Sequence, residues 1–425
     1  MTIAIFLIIL LTSVAIGIPI AFSLFLCSLG LMIHLDMVDP QIMAQSLING
    51  ADNFTLLAIP FFVFAGEVMN VGGLAKRLID LPMKLVGHKA GGLGFVVIIA
   101  AVIMASLSGS PAADTAAIAA IMFPMMMKAK YDPARSTGLI AAGGIIAPII
   151  PPSIPFIVIG VTASVSISQL FMAGIVPGIL MGVALCMMWY FQSRKLETSK
   201  KATGAEIFAA FKSSILALML PVIVIGGFRL GIFTPTEAGA VASVYALFIS
   251  IFVYREITFK AIYQALLATA KTTAVIMLMV ASAQVSAWLM TVADLPLMVA
   301  EVLKPLASSP TLLMALILVL LMAMGMVLDL IPIVLIMVPV LMPIIREAGI
   351  NEIYFCVMFI FCCSVGLITP PVGNVLNVVS GVTKVPFERA VLGVLPYAGV
   401  LFGLMLLMLL FPSIVIAPME FLTGK

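Results

Sequence analysis

The chain has 425 residues, of which 64% are hydrophobic and only 9% charged, with a mean hydropathy of +1.30. Soluble domains are about half apolar and a quarter charged, so this composition excludes a soluble enzyme or binding module and leaves an all-α polytopic membrane protein. The net charge of +3 says little about partners, and no nucleic acid is expected among them.

Residues 1–35 run on for about thirty apolar positions without a basic n-region, which is longer than a signal-peptide h-region. They read as one long or two short spanning helices, broken near Gly17 and Pro19. With the segments up to His88 they form an N-terminal unit, 1–88. Glu67 in this unit, like Glu237 and Lys271 further on, reads as an interfacial or subunit-contact charge, and His34 and His88 lie near segment ends on solvated faces.

A second unit covers 89–192. Its apolar run 90–127 is interrupted by "SLSGSPAADT" at 106–115. Arms of about 15 residues, at ~1.5 Å rise, reach only part way across hydrocarbon about 30 Å thick, so a re-entrant hairpin fits better than two crossings. A helix over 136–163, broken at Pro151-Pro152, follows. Residues 193–303 hold a central loop and further helices. The loop carries Arg194, Lys195, Lys200, Lys201 and Lys212, and the positive-inside rule makes it cytoplasmic. A fourth unit, 304–412, repeats the second: a hairpin over 310–345 with its tip at 324–332, then a helix over 355–383 broken at Pro370-Pro371. A tail, 413–425, ends the chain. The five cysteines sit in apolar segments without C-x-x-C spacing and act as small hydrophobes.

The likeness of the two units is direct. "SGSPAADTAAIAAIMFPMM" (108–126) aligns without gaps on "AMGMVLDLIPIVLIMVPVL" (323–341), placing Asp114 on Asp329. "IIPPSIPFIVIGVT" (149–162) aligns on "ITPPVGNVLNVVSGVT" (368–383) with a two-residue insertion before the shared Gly-Val-Thr. Non-helical backbone is tolerated in a bilayer only where it is buried in protein or lines a cavity. Four broken elements at matched positions therefore point to one midplane site.

A helix that stops inside the membrane leaves carbonyls at one end and amides at the other without partners. With nearby hydroxyls the carbonyls ligate a small hard cation such as Na⁺, and the amides hold a carboxylate. Ser106, Ser108, Ser110, Thr115 and Ser153 supply hydroxyls in the first half; Thr369, Gly373, Asn374 and Asn377 supply polar or open positions in the second, and Gly325 opens its tip to close approach. The alternative for any one of them is that small residues merely let helices pack closely. Asp114 and Asp329 are costly inside a membrane and read either as helix N-caps or as substrate contacts. An intramembrane aspartyl hydrolase built on this pair is a rival, but "MGMVLD" lacks the Gly-x-Gly-Asp context of that chemistry. There is no G-x-x-x-x-G-K-[ST], no H-E-x-x-H, and no histidine in a broken element to serve as a base for "SLSGS". A passive channel is the other rival, though Pro-broken helices after each loop fit alternating access better.

At these motifs the sequence resembles a known family. "LLAIPFFVFAGEVMNVGGLAKRL" (56–78), "GSPAAD" (109–114), "IIPPS" (149–153), "GIFTPTEAGAVASVYAL" (231–247), "LDLIPIVLIMVPVLMP" (328–343) and "GLITPPVGNVL" (366–376) together look like the large membrane subunit of the tripartite ATP-independent periplasmic (TRAP) transporters. The resemblance implies a multi-pass protein of a bacterial or archaeal inner (cytoplasmic) membrane, with roughly a dozen spans plus two re-entrant hairpins. Its halves would have inverted topology and form a transport domain that moves against a scaffold as an elevator. It implies Na⁺-coupled symport of an organic acid delivered by a periplasmic binding protein, with a small four-helix membrane subunit, here a separate chain, as partner and no cofactor. Carried onto this sequence, Na⁺ would lie at Ser106, Ser108, Gly144 and Pro148 in one half and at Gly325, Gly366 and Thr369 in the other; Ser110, Asp114, Ser153 and Asn374 would meet the substrate. Relatives handle sialic acids and C4-dicarboxylates. An Asp is a poor neighbour for a second carboxylate, so the expectation is sialic acid, with C4-dicarboxylates as the alternative.

Overall fold

The computed structural model describes residues 2–194, 201–303 and 309–423, and among these every regular element is helical. Lys195 and Lys200 of the basic loop lie outside the described residues. The N-terminal stretch is two helices, α1 (Thr2–Ala15) and α2 (Ile20–His34), parted at Gly17 (φ +84°) and Pro19. There follow α3 (Pro40–Ala51), α4 (Ala58–Val71, entered through a 3₁₀ turn at Phe54–Leu57) and the amphipathic α5 (Leu74–Val86). The first hairpin is α6 (Gly92–Ser108) and α7 (Pro111–Lys128); the first broken helix is α8 (Pro133–Gly144) and α9 (Ile154–Ala163); α10 (Ile167–Ser193) closes the half.

The second half runs α11 (Gly204–Arg229), α12 (Pro235–Phe248, extended by a π turn at Ile249–Tyr254), α13 (Phe259–Val292) and α14 (Leu295–Leu303). Its hairpin is α15 (Pro310–Gly325) and α16 (Leu330–Glu347), its broken helix α17 (Glu352–Gly366) and α18 (Asn374–Thr383), followed by α19 (Phe387–Leu410) and α20 (Ser413–Thr423). Among the described residues seven helices are long and apolar enough to cross a membrane, and the hairpin arm α16 is one of them.

Helix caps correct the internal repeat. Ser110 caps α7 and Asp329 caps α16, and both helices have 18 residues. Asp132 and Asn351 cap α8 and α17. The interval from Ser110 to Asp329 equals that from Asp132 to Asn351 and from Pro151 to Pro370. Ser110, not Asp114, is thus the counterpart of Asp329; Ser106 falls on Gly325, and Pro124 on Pro343. The gapless alignment was displaced by four residues, about one helical turn, which keeps the apolar stripe nearly in phase and so leaves no trace in the hydrophobic pattern. Downstream, α9 and α18 both end at a left-handed residue, Ser164 and Lys384, and this register needs one inserted residue rather than two.

The halves interlock. α7 packs on α18 and α16 on α9, so each hairpin's second arm lies against the post-break helix of the other half, while α15 packs on α17 and both arms of the first hairpin on α8. Every residue of α8 from Ser136 to Gly144, and of α17 from Ile353 to Gly366, is buried, as expected of helices enclosed on all sides. Outside this core α12 covers α4, and α13 packs on α2, α3 and α4. At the base of the first hairpin, Arg77 of α5 donates from both terminal nitrogens to Glu256 (2.7 and 3.0 Å) and lies over the Tyr254 ring. This bidentate bond holds the Glu256 carboxyl below the usual range.

α8 and α19 cross with backbone close against backbone. A Cβ on Gly393 would collide with the Ala134 carbonyl, and one on Gly138 with the Gly393 backbone, whereas Gly399 on the same α19 has nothing within 4 Å. Gly393→Ala is therefore expected to destabilise the protein by about 1–3 kcal/mol through overpacking. Thermal unfolding in detergent should show a clear drop for it and little change for Gly399→Ala.

Candidate functional site

Four helices begin around one cavity of about 430 Å³. Pro111–Ala113 of α7, Ile154 and Pro155 of α9, Leu330 and Ile331 of α16, and Asn374 and Val375 of α18 supply first-turn backbone to its lining. Two arrive from the hairpin tips and two from the breaks, because the exchanged packing of α7 with α18 and α16 with α9 brings all four to one point. α4 and α13 complete the wall with Glu67, Asn70, Lys271 and Thr272.

The caps show how each start is held. Asp329 accepts from the Leu330 amide at 2.8 Å and from the Asn374 side chain. Ser153 accepts from the Phe156 amide at 3.3 Å and donates to the Pro148 carbonyl at 2.6 Å. α18 starts at Gly373 (φ +55°), which offers no side-chain cap; instead the Val372 and Gly373 amides both donate to the Met326 carbonyl at the second tip, each at 3.2 Å. Each side-chain cap satisfies one first-turn amide, in α18 the Val375 amide donates to the Leu367 carbonyl at 3.1 Å instead, and the remaining amides keep the partial positive charge of a helix start. Four such starts converging on one cavity make an anion-favouring site without a cluster of basic side chains.

The sequence candidates fall into three groups. Ser110 and Asn374 line the cavity, as does Asp329, whereas Asp114 and Ser153 are outside its lining and buried, at 2% and 0% exposure. Asp114 sits one turn into α7, and its backbone amide donates to the Ser110 carbonyl at 3.0 Å; the N-cap reading holds for Asp329 only. A second group lies where the first tip meets the first break. Gly109 (φ +61°) rests so close to Pro152–Ile154 that a Cβ there would stand 3.0 Å from the Pro152 carbonyl oxygen, and Gly144 lies flat against the Thr115 side chain. Ser106, buried nearby in the hairpin, donates to the Ile103 carbonyl at 2.6 Å. Ser108 is the last residue of α6, and its side chain lies outside the described ones. The third group is the second junction, where Gly325 and Gly366 touch backbone to backbone and Thr369 donates its amide to the Gly366 carbonyl (2.9 Å) and its hydroxyl to the Val365 carbonyl (2.8 Å).

Glu67 and Lys271, expected at an interface, line the cavity instead. A signal for this was available in the spacing: Val63, Glu67 and Asn70, like Lys271 and Val275, recur at three and four residues and so share a helix face.

Comparison with known proteins fits this geometry. Residues 7–414 match the family model described as tripartite ATP-independent periplasmic transporter, DctM component. The 2,3-diketo-L-gulonate TRAP transporter large permease protein YiaN of Escherichia coli is 60% identical over 99% of this chain and 100% of its own length. The sialic acid TRAP transporter large permease protein SiaM of Vibrio cholerae is 39% identical over 96% of each chain, and the C4-dicarboxylate TRAP transporter large permease protein DctM of Pseudomonas aeruginosa 34% over 88% of each. Among solved structures, the Alcanivorax borkumensis YdaH transporter shares the fold, with a TM-score of 0.61 over 87% of both chains at 15% identity.

The glycine pair at the second junction gives a direct test of the site. A Cβ on Gly366 would lie 2.7 Å from the Cα and carbonyl carbon of Gly325, so Gly366→Ala must push the second tip off its break. Since misplacing site groups by about 1 Å costs on the order of tenfold or more, this variant is expected to lose at least that much solute uptake while its abundance in the membrane is kept, as measured by flux against quantitative immunoblotting.

Proposed function

The chain belongs to the DctM component family of the tripartite ATP-independent periplasmic transporters, and on that premise we propose that it is the Na⁺-coupled permease for a polyhydroxylated monocarboxylic acid. It is a large permease subunit for organic acid transport and not an enzyme. The aspartyl-hydrolase alternative also lacks geometry: Asp329 is engaged as a cap and Asp114 is buried away from the cavity lining. The small membrane subunit and the periplasmic binding protein are partners of the family in general, and an inner-membrane location follows from the same reading.

The observation that carries the proposal is the convergence of four helix starts with Ser110, Asn374, Asn70 and Thr272 around one cavity. The amides suit one carboxylate and the neutral side chains suit hydroxyls and carbonyls of a sugar acid. Among substrates the 60% identity to the diketo-gulonate permease outweighs 39% to the sialic acid permease. The substrate we propose is accordingly a 2,3-diketo-L-gulonate-like sugar acid in place of sialic acid, and C4-dicarboxylates stand further off.

Na⁺ is assigned to the two tip–break junctions, one around Ser106, Ser108, Gly144 and Pro148 and the other around Gly325, Gly366 and Thr369. There, hydroxyls and carbonyls meet at helix ends, the ligand chemistry that a small hard cation needs. Substrate and cation would then share the same tips, so that each favours the other's binding. The interlocked hairpins and broken helices suit motion as one body against α4 and α13, an elevator step that would carry the cavity past the scaffold wall.

The test is uptake of labelled sugar acid into proteoliposomes containing this chain and its small partner, with binding protein outside. Accumulation above the outside concentration that requires both an inward Na⁺ gradient and the binding protein is expected, and flux that never runs uphill would instead mean a passive pore. Ser106→Ala and Thr369→Ala are each expected to raise the Na⁺ concentration for half-maximal uptake by roughly threefold or more, the loss of one neutral oxygen ligand or of the bond that positions it. An unchanged Na⁺ response would remove that residue from the ion site.

A further inference from the structure

Within the substrate reading just given, on which this step rests, we propose that Lys271 and Glu67 form a charge filter: Lys271 pairs with the substrate's carboxylate, and Glu67 turns away solutes that carry a second one. Neither residue belongs to the hairpins or broken helices. Both sit on the α4–α13 wall, and both line the cavity with Asn70 and Thr272.

α13 spans Phe259–Val292, so its midpoint falls between Val275 and Ile276. Lys271 is then only about 7 Å from the midpoint along the axis at ~1.5 Å per residue, in the middle part of the helix where it faces the cavity. The two ion pairs recorded among the described residues, Arg77–Glu256 and Arg346–Glu352, do not include it. It is the only cationic side chain in the cavity lining among the described residues, and it stands with four helix starts of the same sign. A carboxylate that enters the cavity therefore has one strong partner and a favourable field behind it.

Glu67 has the opposite effect. Of the two carboxylates in the lining, Asp329 is already occupied by the Leu330 amide and the Asn374 side chain. Glu67 is half-buried and in no recorded ion pair. With one cation in the cavity and that cation committed to the first carboxylate, a second one would meet Glu67 unscreened, whereas a hydroxyl would find an acceptor. Specificity arises here from a repulsive element as well as an attractive one.

The experiment uses the complete transporter in proteoliposomes, with the sugar acid as substrate and succinate as competitor, and with one binding protein that delivers both, at the same concentration for every variant, so that its own selectivity cancels from the comparison. Glu67→Gln is expected to raise the apparent affinity for succinate relative to the sugar acid by about tenfold or more, and Glu67→Asp to keep most of the discrimination, because removing a like charge that faces the second carboxylate is felt at that scale. Lys271→Gln is expected to raise the KM for the sugar acid by about tenfold or more with a smaller effect on kcat, and Lys271→Arg to recover most of the loss, the pattern of a ground-state contact. An unchanged succinate ratio in Glu67→Gln, or an unchanged KM in Lys271→Gln, would overturn the filter while leaving the permease intact. No uptake of any sugar acid by the wild-type transporter would instead overturn the substrate reading, and the filter with it.

Discussion

A backbone amide or carbonyl left in hydrocarbon without a partner costs several kcal/mol, and this chain breaks four elements inside the membrane. Everything central to the fold answers that constraint. The Met326 carbonyl at one tip takes two amides from the opposing break, Ser153 closes back on the Pro148 carbonyl, and Asp329 caps its own helix while accepting from Asn374 across the junction. α8 and α17 are buried on every face because the ends they leave near the midplane have to be enclosed by protein. Side-chain packing follows from the same need: two glycines, Gly325 and Gly366, meet because nothing larger lets a tip reach its break.

The two junctions meet the constraint with different chemistry. In the cap-to-cap register Ser106 corresponds to Gly325, Thr115 to Val334 and Gly144 to Cys363. The first junction is built from hydroxyls folded onto carbonyls, and the second from bare backbone plus Thr369. A repeat that duplicates the fold has therefore not duplicated the oxygen groups at its two junctions. Ser106 at the first junction and Thr369 at the second each donate their hydroxyl proton to a carbonyl, of Ile103 and Val365, which leaves the hydroxyl oxygen lone pairs free to accept.

Much of this was legible in the sequence. Polar tips inside apolar runs and Pro-Pro breaks announce re-entrant hairpins and broken helices, because polar and helix-breaking residues are tolerated at membrane depth only for a reason. Ser110 and Asn374 could be placed at the site for the same reason. The register of the hairpin repeat was not legible, since a four-residue slip barely moves an apolar stripe, and Asp114 consequently looked like the twin of Asp329. Glu67 and Lys271 were legible only in part: their three- and four-residue spacing with Val63, Asn70 and Val275 puts them on shared helix faces, but nothing in the sequence says that these faces meet the two tips.

That last point bears on how the molecule divides its labour. The four helix starts belong to elements packed on one another across the halves, α7 with α18 and α16 with α9, so their mutual geometry is fixed by contact. The charged side chains of Glu67 and Lys271 belong to α4 and α13, which are packed on each other and covered by α12 and α2. Backbone dipoles are generic toward carboxylates and depend on the tips being seated; in the proposed filter the fixed side-chain charges would discriminate among carboxylates and depend on the cavity lying against this wall. Any motion that separates the two bodies removes the discriminating charges and leaves the generic ones. On the proposed two-body motion, selectivity and strong binding would belong to the state in which the bodies are apposed, and their separation would favour release.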